Sequence, residues 1–470
     1  MVDLYFCDTT TFMMNQVKMI KRENNKFLFY IDRLLILFVD FIVSILYYIV
    51  PSKYKERFNN ITKKSDIFYN VVGLTFFNAI GGLCVMATQV KLANYLGAAS
   101  YGTYAYCLAI GEVGAMIVRY GRDKTMLRDL VQYPQKTEAI IVGTFWMAVI
   151  NLVLFLSVVL LMHTEFDITV NVATILLILS PCLISFDPSP VYEQLRMMGW
   201  HSIYMLLQKF CFLIIIWVLF WIGYDIRLIT LGVIMIITWL FIIVCQFKEI
   251  SKGLEINYMK LIKLRELLYL YKNNFSVFLS CAFGIAFGPI LNLMLKTYSD
   301  SKAVGIYAAG LQIYNICWFL NTQISRVGKP MMAEAGKKNI NVNRRRILVR
   351  NYLIIMIASS SIFAIPLFCF PNILVDTLYR DDYSTLSNYL PIMGMYLMCA
   401  AIGVVFEQFL ISLRMDKTYF FIYILSALCT ILCAFYMLPR FGTFGAFFAL
   451  CVPRSIGYLC YAVFALPQLK

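Results

Sequence analysis

The chain has 470 residues, 61% of them hydrophobic and only 14% charged, with a net charge of +15 and a mean hydropathy of +0.74. Soluble globular domains are roughly half apolar and a quarter charged, so this composition excludes a soluble protein and calls for an integral membrane protein. The basic excess lies in short segments between apolar runs, where it sets topology rather than reading nucleic acid; fourteen cysteines without CxxC spacing and only two histidines argue against a disulfide scaffold or a zinc site.

Residues 1–65 form a basic extension. Within it the stretch 34–50, LLILFVDFIVSILYYIV, lies between basic clusters, and Arg33, Asp40, Ser44 and Tyr47 share one helical face. That pattern predicts a helix in the membrane plane, with a thirteenth span as the alternative. Twelve apolar runs follow, at 69–92, 101–120, 139–162, 168–187, 202–222, 228–246, 273–295, 303–325, 351–373, 389–412, 418–438 and 442–467. Each is near the ~20 residues that cross a bilayer, and in hydrocarbon only helices or closed barrels satisfy the backbone. Basic segments precede the first run and follow the second, sixth and eighth; Arg122, Lys124, Arg128 and Lys136 make up one of them. The opposite segments, such as ANYLGAAS and MHTEFDI, are neutral or acidic. By the positive-inside rule both ends of the twelve-helix core are cytoplasmic.

A shift of 203 residues overlays the first two runs on the seventh and eighth with nine identities in 32 positions, among them Gly81 with Gly284, Tyr95 with Tyr298, Gly102 with Gly305 and Tyr104 with Tyr307. An even number of spans separates the copies, so both face the same way. The expected fold is an all-α membrane protein with twelve core transmembrane helices in two six-helix pseudo-symmetric lobes, plus the N-terminal in-plane or extra helix. The lobes are assigned to 66–247 and 273–470, joined by a cytoplasmic connector, 248–272, that contains the amphipathic YMKLIKLRELLYLY.

Ionisable groups inside spans are costly and face a bundle interior or a wet cavity, which makes them functional candidates. Glu112 and Arg119 stand two turns apart on the second span. Gln312, Asn315, Gln323 and Arg326 share a stripe on the eighth, Asn78, Gly81, Gly82 and Gln89 one on the first, and the repeat relates Gln89 to Asn292. Four helices with such stripes are expected to line a hydrophilic cleft, although any one amide can equally serve a helix–helix hydrogen bond, and Arg119 can simply snorkel to head groups. Lys209 and Arg454 are further intramembrane cations suited to an anionic group, and Glu407 either pairs with one of them or carries a proton. Gly73, Gly81, Gly82, Gly284 and Gly288 mark close helix contacts or bend points. No Walker loop, dinucleotide fingerprint or catalytic cluster is present, so no enzymatic activity is expected.

These segments resemble a known family. LANYLGAASYGTYAYCLAI and the following YGRDKTMLRDL resemble the link between the first two helices, and the next cytoplasmic loop, of the polysaccharide and oligosaccharide (Wzx-like) flippases, the polysaccharide transporter branch of the multidrug/oligosaccharidyl-lipid/polysaccharide exporter superfamily; Arg128 falls at the family's usual arginine. SDSKAVGIYAAGLQIYNICWFLNTQISRVGKPMMAE, with Pro330, is similar to the second-half copy, and LPRFGTFGAFFAL to the hairpin before the last helix. Asn292 stands where many relatives have aspartate, so a cation or proton role is not carried over there. The resemblance, over about 66–467, implies a flippase for a polyprenyl-pyrophosphate-linked oligosaccharide (O-antigen, capsule or exopolysaccharide repeat unit) in the bacterial inner membrane, working by alternating access. In that reading Arg119 and Arg326 capture the pyrophosphate, Lys209 and Arg454 add positive charge, and Gln89, Asn78, Asn292, Gln312, Asn315 and Gln323 bind the head group. Glu112 either holds a cationic partner or, like Glu407, couples the cycle to H+ or Na+; no other cofactor is implied, and the partners are the lipid-linked substrate, membrane lipids and glycan-assembly proteins. A cation-coupled multidrug exporter, a peptidoglycan-precursor lipid flippase and a membrane glycan polymerase are the alternatives, the last disfavoured by short outer loops.

Overall fold

The computed structural model describes residues 66–161, 171–195, 197–260, 263–337 and 340–469. The expected in-plane or spanning helix at 34–50 therefore lies outside the described residues. Among those described there is no strand; the backbone is satisfied by helices, as hydrocarbon demands.

The helices are α1 (Asp66–Arg119), α2 (Arg122–Gln132), α3 (Thr137–Leu161), α4 (Val172–Leu183), α5 (Ser189–Gln194), α6 (Met198–Ile222), α7 (Leu228–Leu254), α8 (Leu264–Gly284), α9 (Pro289–Tyr298), α10 (Ser301–Ala335), α11 (Val342–Cys369), α12 (Pro371–Leu378), α13 (Leu390–Ser412) and α14 (Asp416–Ala465). Among the described residues nine helices are long and apolar enough to cross a membrane, or ten if one bent pair counts as a span. The expected twelve are not reproduced as a count of separate helices, because α1 and α14 each contain two of the expected runs. A straight helix of the 54 residues of α1 would measure roughly 80 Å, against a hydrocarbon core of roughly 30 Å. The chain turns at Gly97, whose φ of 70° and ψ of 166° interrupt the helix, and α14 is interrupted in the same way at Gly442, with φ 51°. L side chains are strained at such φ, which is why glycine stands there. Hydrogen bonds across the corner confirm the reversal: Tyr101 Oη donates to Gln89 Oε1 at 3.2 Å and Gln89 Nε2 to Tyr104 Oη at 3.2 Å.

The expected seventh span is broken. α8 passes through a short 3₁₀ turn, Ile285–Phe287, and the chain bends by 48° before α9, with Gly288 and Pro289 at the break. Of the glycines read as contacts or bends, Gly288 is at the bend, while Gly81 makes the close contact described below.

By compactness the chain forms two units. Unit 1 comprises the described residues of Met1–Cys84 and Gly114–Leu279, and unit 2 those of Val85–Val113 and Ser280–Lys470. Unit 1 has a core of Met126, Leu130, Ile141, Val191, Tyr192 and Ile250, which ties α2 and α5 to α3 and α7. Unit 2 contains the corner of α1, and there the repeat becomes visible in three dimensions. A Cβ on Gly102 would overlap the Ser301 carbonyl oxygen, and one on Gly305 the Ala98 carbonyl oxygen. Ala98 and Ser301 are themselves 203 residues apart, so repeat-related segments cross at equivalent glycines. Asn94 fastens this corner from both sides of its amide: Nδ2 donates to the Leu378 carbonyl at 2.8 Å, and Oδ1 accepts from the Arg380 N–H at 3.0 Å. In both units large apolar side chains such as Trp221, Val244, Phe421 and Val463 are exposed, as a lipid-facing surface requires.

Candidate functional site

One candidate cation of unit 1 is Lys209 on α6. Its stem crosses Gly81 of α1, where an added Cβ would stand 2.9 Å from Lys209 Cδ and 3.3 Å from Nζ. Asn78, one turn earlier on α1, is half-buried. Arg119 closes α1 half-buried and, among the described residues, makes no ion pair. It lines a cavity of about 90 Å³ together with Arg122, Thr144, Ala148, Ser185 and Asp187.

Sequence reasoning missed Arg122, having counted it among the loop cations. The first residue of the polar helix α2 is only 2% exposed. Its Nη1 donates to Asp129 Oδ2 at 2.6 Å and to Thr125 Oγ1 at 3.3 Å, and its Nε to Thr144 Oγ1 at 3.1 Å, while Nη2 is buried without a hydrogen-bond partner. Burial pushes the guanidinium below its ordinary pKa, and the Asp129 carboxylate acts against that shift. The available signal was spacing: Arg122 and Asp129 are seven residues apart, two turns on one face of a helix. Further along unit 1, Glu249 accepts from Tyr192 Oη at 2.7 Å and Trp200 Nε1 at 2.9 Å, and His201 Nε2 meets Asp187 Oδ1 at 2.8 Å. Neither cluster was anticipated.

Unit 2 holds the remaining candidates. Glu112 has an exposed side chain and, among the described residues, no ion-pair partner. Gln89 is engaged by Tyr101 and Tyr104, which occupy the amide that the stripe on the first span was expected to offer. Asn292 is 9% exposed, and its Oδ1 is buried without a partner, as is Gln323 Oε1. Gln312 is half-buried and Asn315 exposed. Arg326 lies on α10.

Arg454, on the second arm of α14, is 9% exposed, the most buried cation among the described residues of unit 2. Its guanidinium carbon lies 4.3 Å from the Phe287 ring centroid, 4.7 Å from that of Tyr458 and 5.0 Å from that of Tyr423. Three ring faces supply the negative potential a buried cation needs, and Nη1 is left without a hydrogen-bond partner. Glu407 on α13 is within electrostatic reach of Arg454, Lys329 and the Tyr419 hydroxyl. Of the two cations expected as its partner, Arg454 shares its unit and Lys209 does not. Among the described residues Glu407 and Arg454 form no direct ion pair. Unit 2 therefore presents a guanidinium on an aromatic bed, a nearby carboxylate and orphaned amide oxygens: groups that can receive an anion and polar hydroxyls inside a membrane helix bundle.

Residues 67–336 match the family described as "Polysaccharide biosynthesis protein". The chain belongs to this family. Solved structures share the fold of this family member at low identity. "Lipid II flippase MurJ, inward closed conformation" matches at 15% identity and a TM-score of 0.63, over 84% of this chain and 87% of that one. "Inward-facing conformation of a multidrug resistance MATE family transporter of the MOP superfamily" matches at 12% and 0.59, over 84% and 94%. The Vibrio cholerae MATE transporter VcmN in its bent form matches at 17% and 0.53, over 87% and 98%. No curated protein matches the sequence. The family member is thus a multi-pass helical membrane protein with a transporter fold.

Proposed function

We propose that the protein is a flippase that carries a polyprenyl-pyrophosphate-linked oligosaccharide, such as an O-antigen, capsule or exopolysaccharide repeat unit, from the cytoplasmic to the outer leaflet of a bacterial inner membrane. The observation that carries the reading is Arg454, a guanidinium kept inside the bundle on aromatic faces with a donor to spare, in a chain whose family is defined by polysaccharide biosynthesis.

A pyrophosphate with several sugars does not enter hydrocarbon without compensating charge and hydrogen bonds. Arg454, Lys209, Arg119 and Arg326 supply charge; Asn78, Asn292, Gln312, Asn315 and Gln323 supply amides, with Gln89 contributing only what its two tyrosines leave. The polyprenyl tail needs no passage, because it stays in the bilayer while the head group crosses by alternating access. Glu112 and Glu407 are the groups that would tie the cycle to H+ or Na+.

The test is a strain lacking its own flippase. Expression of the wild type is expected to restore surface glycan, and Arg454→Met, present in the membrane at wild-type level, to leave lipid-linked oligosaccharide on the cytoplasmic side. Unimpaired export by Arg454→Met would overturn the assignment. The fold is shared with multidrug transporters and with a lipid II flippase, so drug resistance or rescue of peptidoglycan-precursor export, without glycan export, would favour those alternatives.

A further inference from the structure

The Arg122 cavity of unit 1 lies apart from every residue that the sequence singled out except Arg119. At about 90 Å³ it is several times the ~15 Å³ that one water needs. Its unmet valences are donors. Arg122 Nη2 is buried and unpartnered, and Arg119 lines the same wall without an ion pair among the described residues. Asp123 and Asp187 also line the cavity, but among the described residues neither pairs with these arginines: Asp187 is engaged by His201 Nε2 at 2.8 Å, Asp123 is exposed, and Asp129 holds Nη1. The cavity is also at the N-terminus of α2, where Gly121 offers no side-chain cap and the helix dipole favours negative charge. Two arginines lining one small space match a ligand with several acceptor oxygens, such as a tetrahedral oxyanion.

We propose that this cavity is a binding site for a phosphate group, with Arg122 and Arg119 as its cations and Thr144, Ser185 and Ser189 around it. Only the identity of the natural ligand rests on the flippase reading: the same chemistry is offered by the pyrophosphate of a lipid-linked substrate, by a phospholipid head group and by free phosphate. Arg122 is already fixed by Asp129 and the threonines, so the site is organised before anything binds.

The experiment uses the full purified chain. In detergent micelles, inorganic phosphate and pyrophosphate are titrated while thermal unfolding and the ³¹P linewidth are followed, with chloride at equal ionic strength as control; nanodiscs of phosphatidylglycerol are compared with nanodiscs of phosphatidylcholine. Saturable stabilisation by the soluble anions assigns a free or substrate phosphate, and stabilisation by phosphatidylglycerol alone assigns a lipid head group. In either case Arg119→Gln should weaken binding roughly tenfold or more, and Ala148→Leu, which fills the cavity and leaves its charges, should abolish it. If Ala148→Leu does not fold, Arg119→Gln carries the comparison, its parent side chain being half-buried and unpaired among the described residues. No saturable response to phosphate, pyrophosphate or phosphatidylglycerol, or equal affinity in all three proteins, overturns the site. Glycan export is measured separately, so a chain that exports without binding rejects the pocket alone, and one that binds without exporting rejects the flippase reading alone.

Discussion

Arg122 in unit 1 and Arg454 in unit 2 are both more than nine-tenths buried, and they solve the same problem with opposite means. Arg122 is held by a carboxylate and two threonine hydroxyls, a set of directed bonds that fixes its position. Arg454 rests on three ring faces with no direct ion pair among the described residues. A carboxylate neutralises the guanidinium, whereas ring quadrupoles stabilise it and leave its net charge available. The first arrangement suits a structural anchor whose spare N–H can serve a pocket; the second suits a cation that meets an anion from outside.

The contrast predicts an order of effects. Asp129→Ala strands a guanidinium that is 2% exposed, so it should cost the most, about 3–5 kcal/mol in unfolding from micelles. Arg122→Met should cost less, about 1–3 kcal/mol, because Asp129 is 20% exposed and keeps Arg128 Nη2 at 3.1 Å. The reverse order would break the account of unit 1. Arg454→Met removes ring contacts without breaking a direct ion pair, and Glu407 keeps Lys329 and the Tyr419 hydroxyl within reach, so it should cost about 0.5–2 kcal/mol while abolishing export. A loss of stability as large as that of Asp129→Ala would mean that Arg454 is an anchor too. Thr144→Val, which deletes one acceptor of Arg122 Nε, should cost about 1 kcal/mol and leave Arg454-dependent export unchanged.

Much of this fold was readable in one dimension because hydrocarbon permits few solutions. Apolar length located the spans, and the 203-residue offset pointed to Gly102 and Gly305, whose backbones meet. What composition could not say is how runs join: Gly97 and Gly442 turn two helices without ending them, and the break before Pro289 depends on local backbone angles. The site was less legible. Arg122 reads like its exposed neighbour Arg128, since burial is decided by α3 and by residues further along the chain. Gln89 reads as a cleft amide, yet its partners lie 12 and 15 residues on, across a corner. Arg454 was picked out because a charge amid apolar residues is costly; that it would sit on aromatic rings followed only from the fold.

The central claim is that Arg454 serves transport rather than stability. Proteoliposomes containing purified protein and a labelled polyprenyl-pyrophosphate oligosaccharide, with accessibility of the sugar to an added lectin as readout, test it directly. Transfer between leaflets by the wild type, and none by an Arg454→Met protein that melts within a few degrees of it, is the predicted result. Equal transfer by both proteins, or none by either, would contradict the claim.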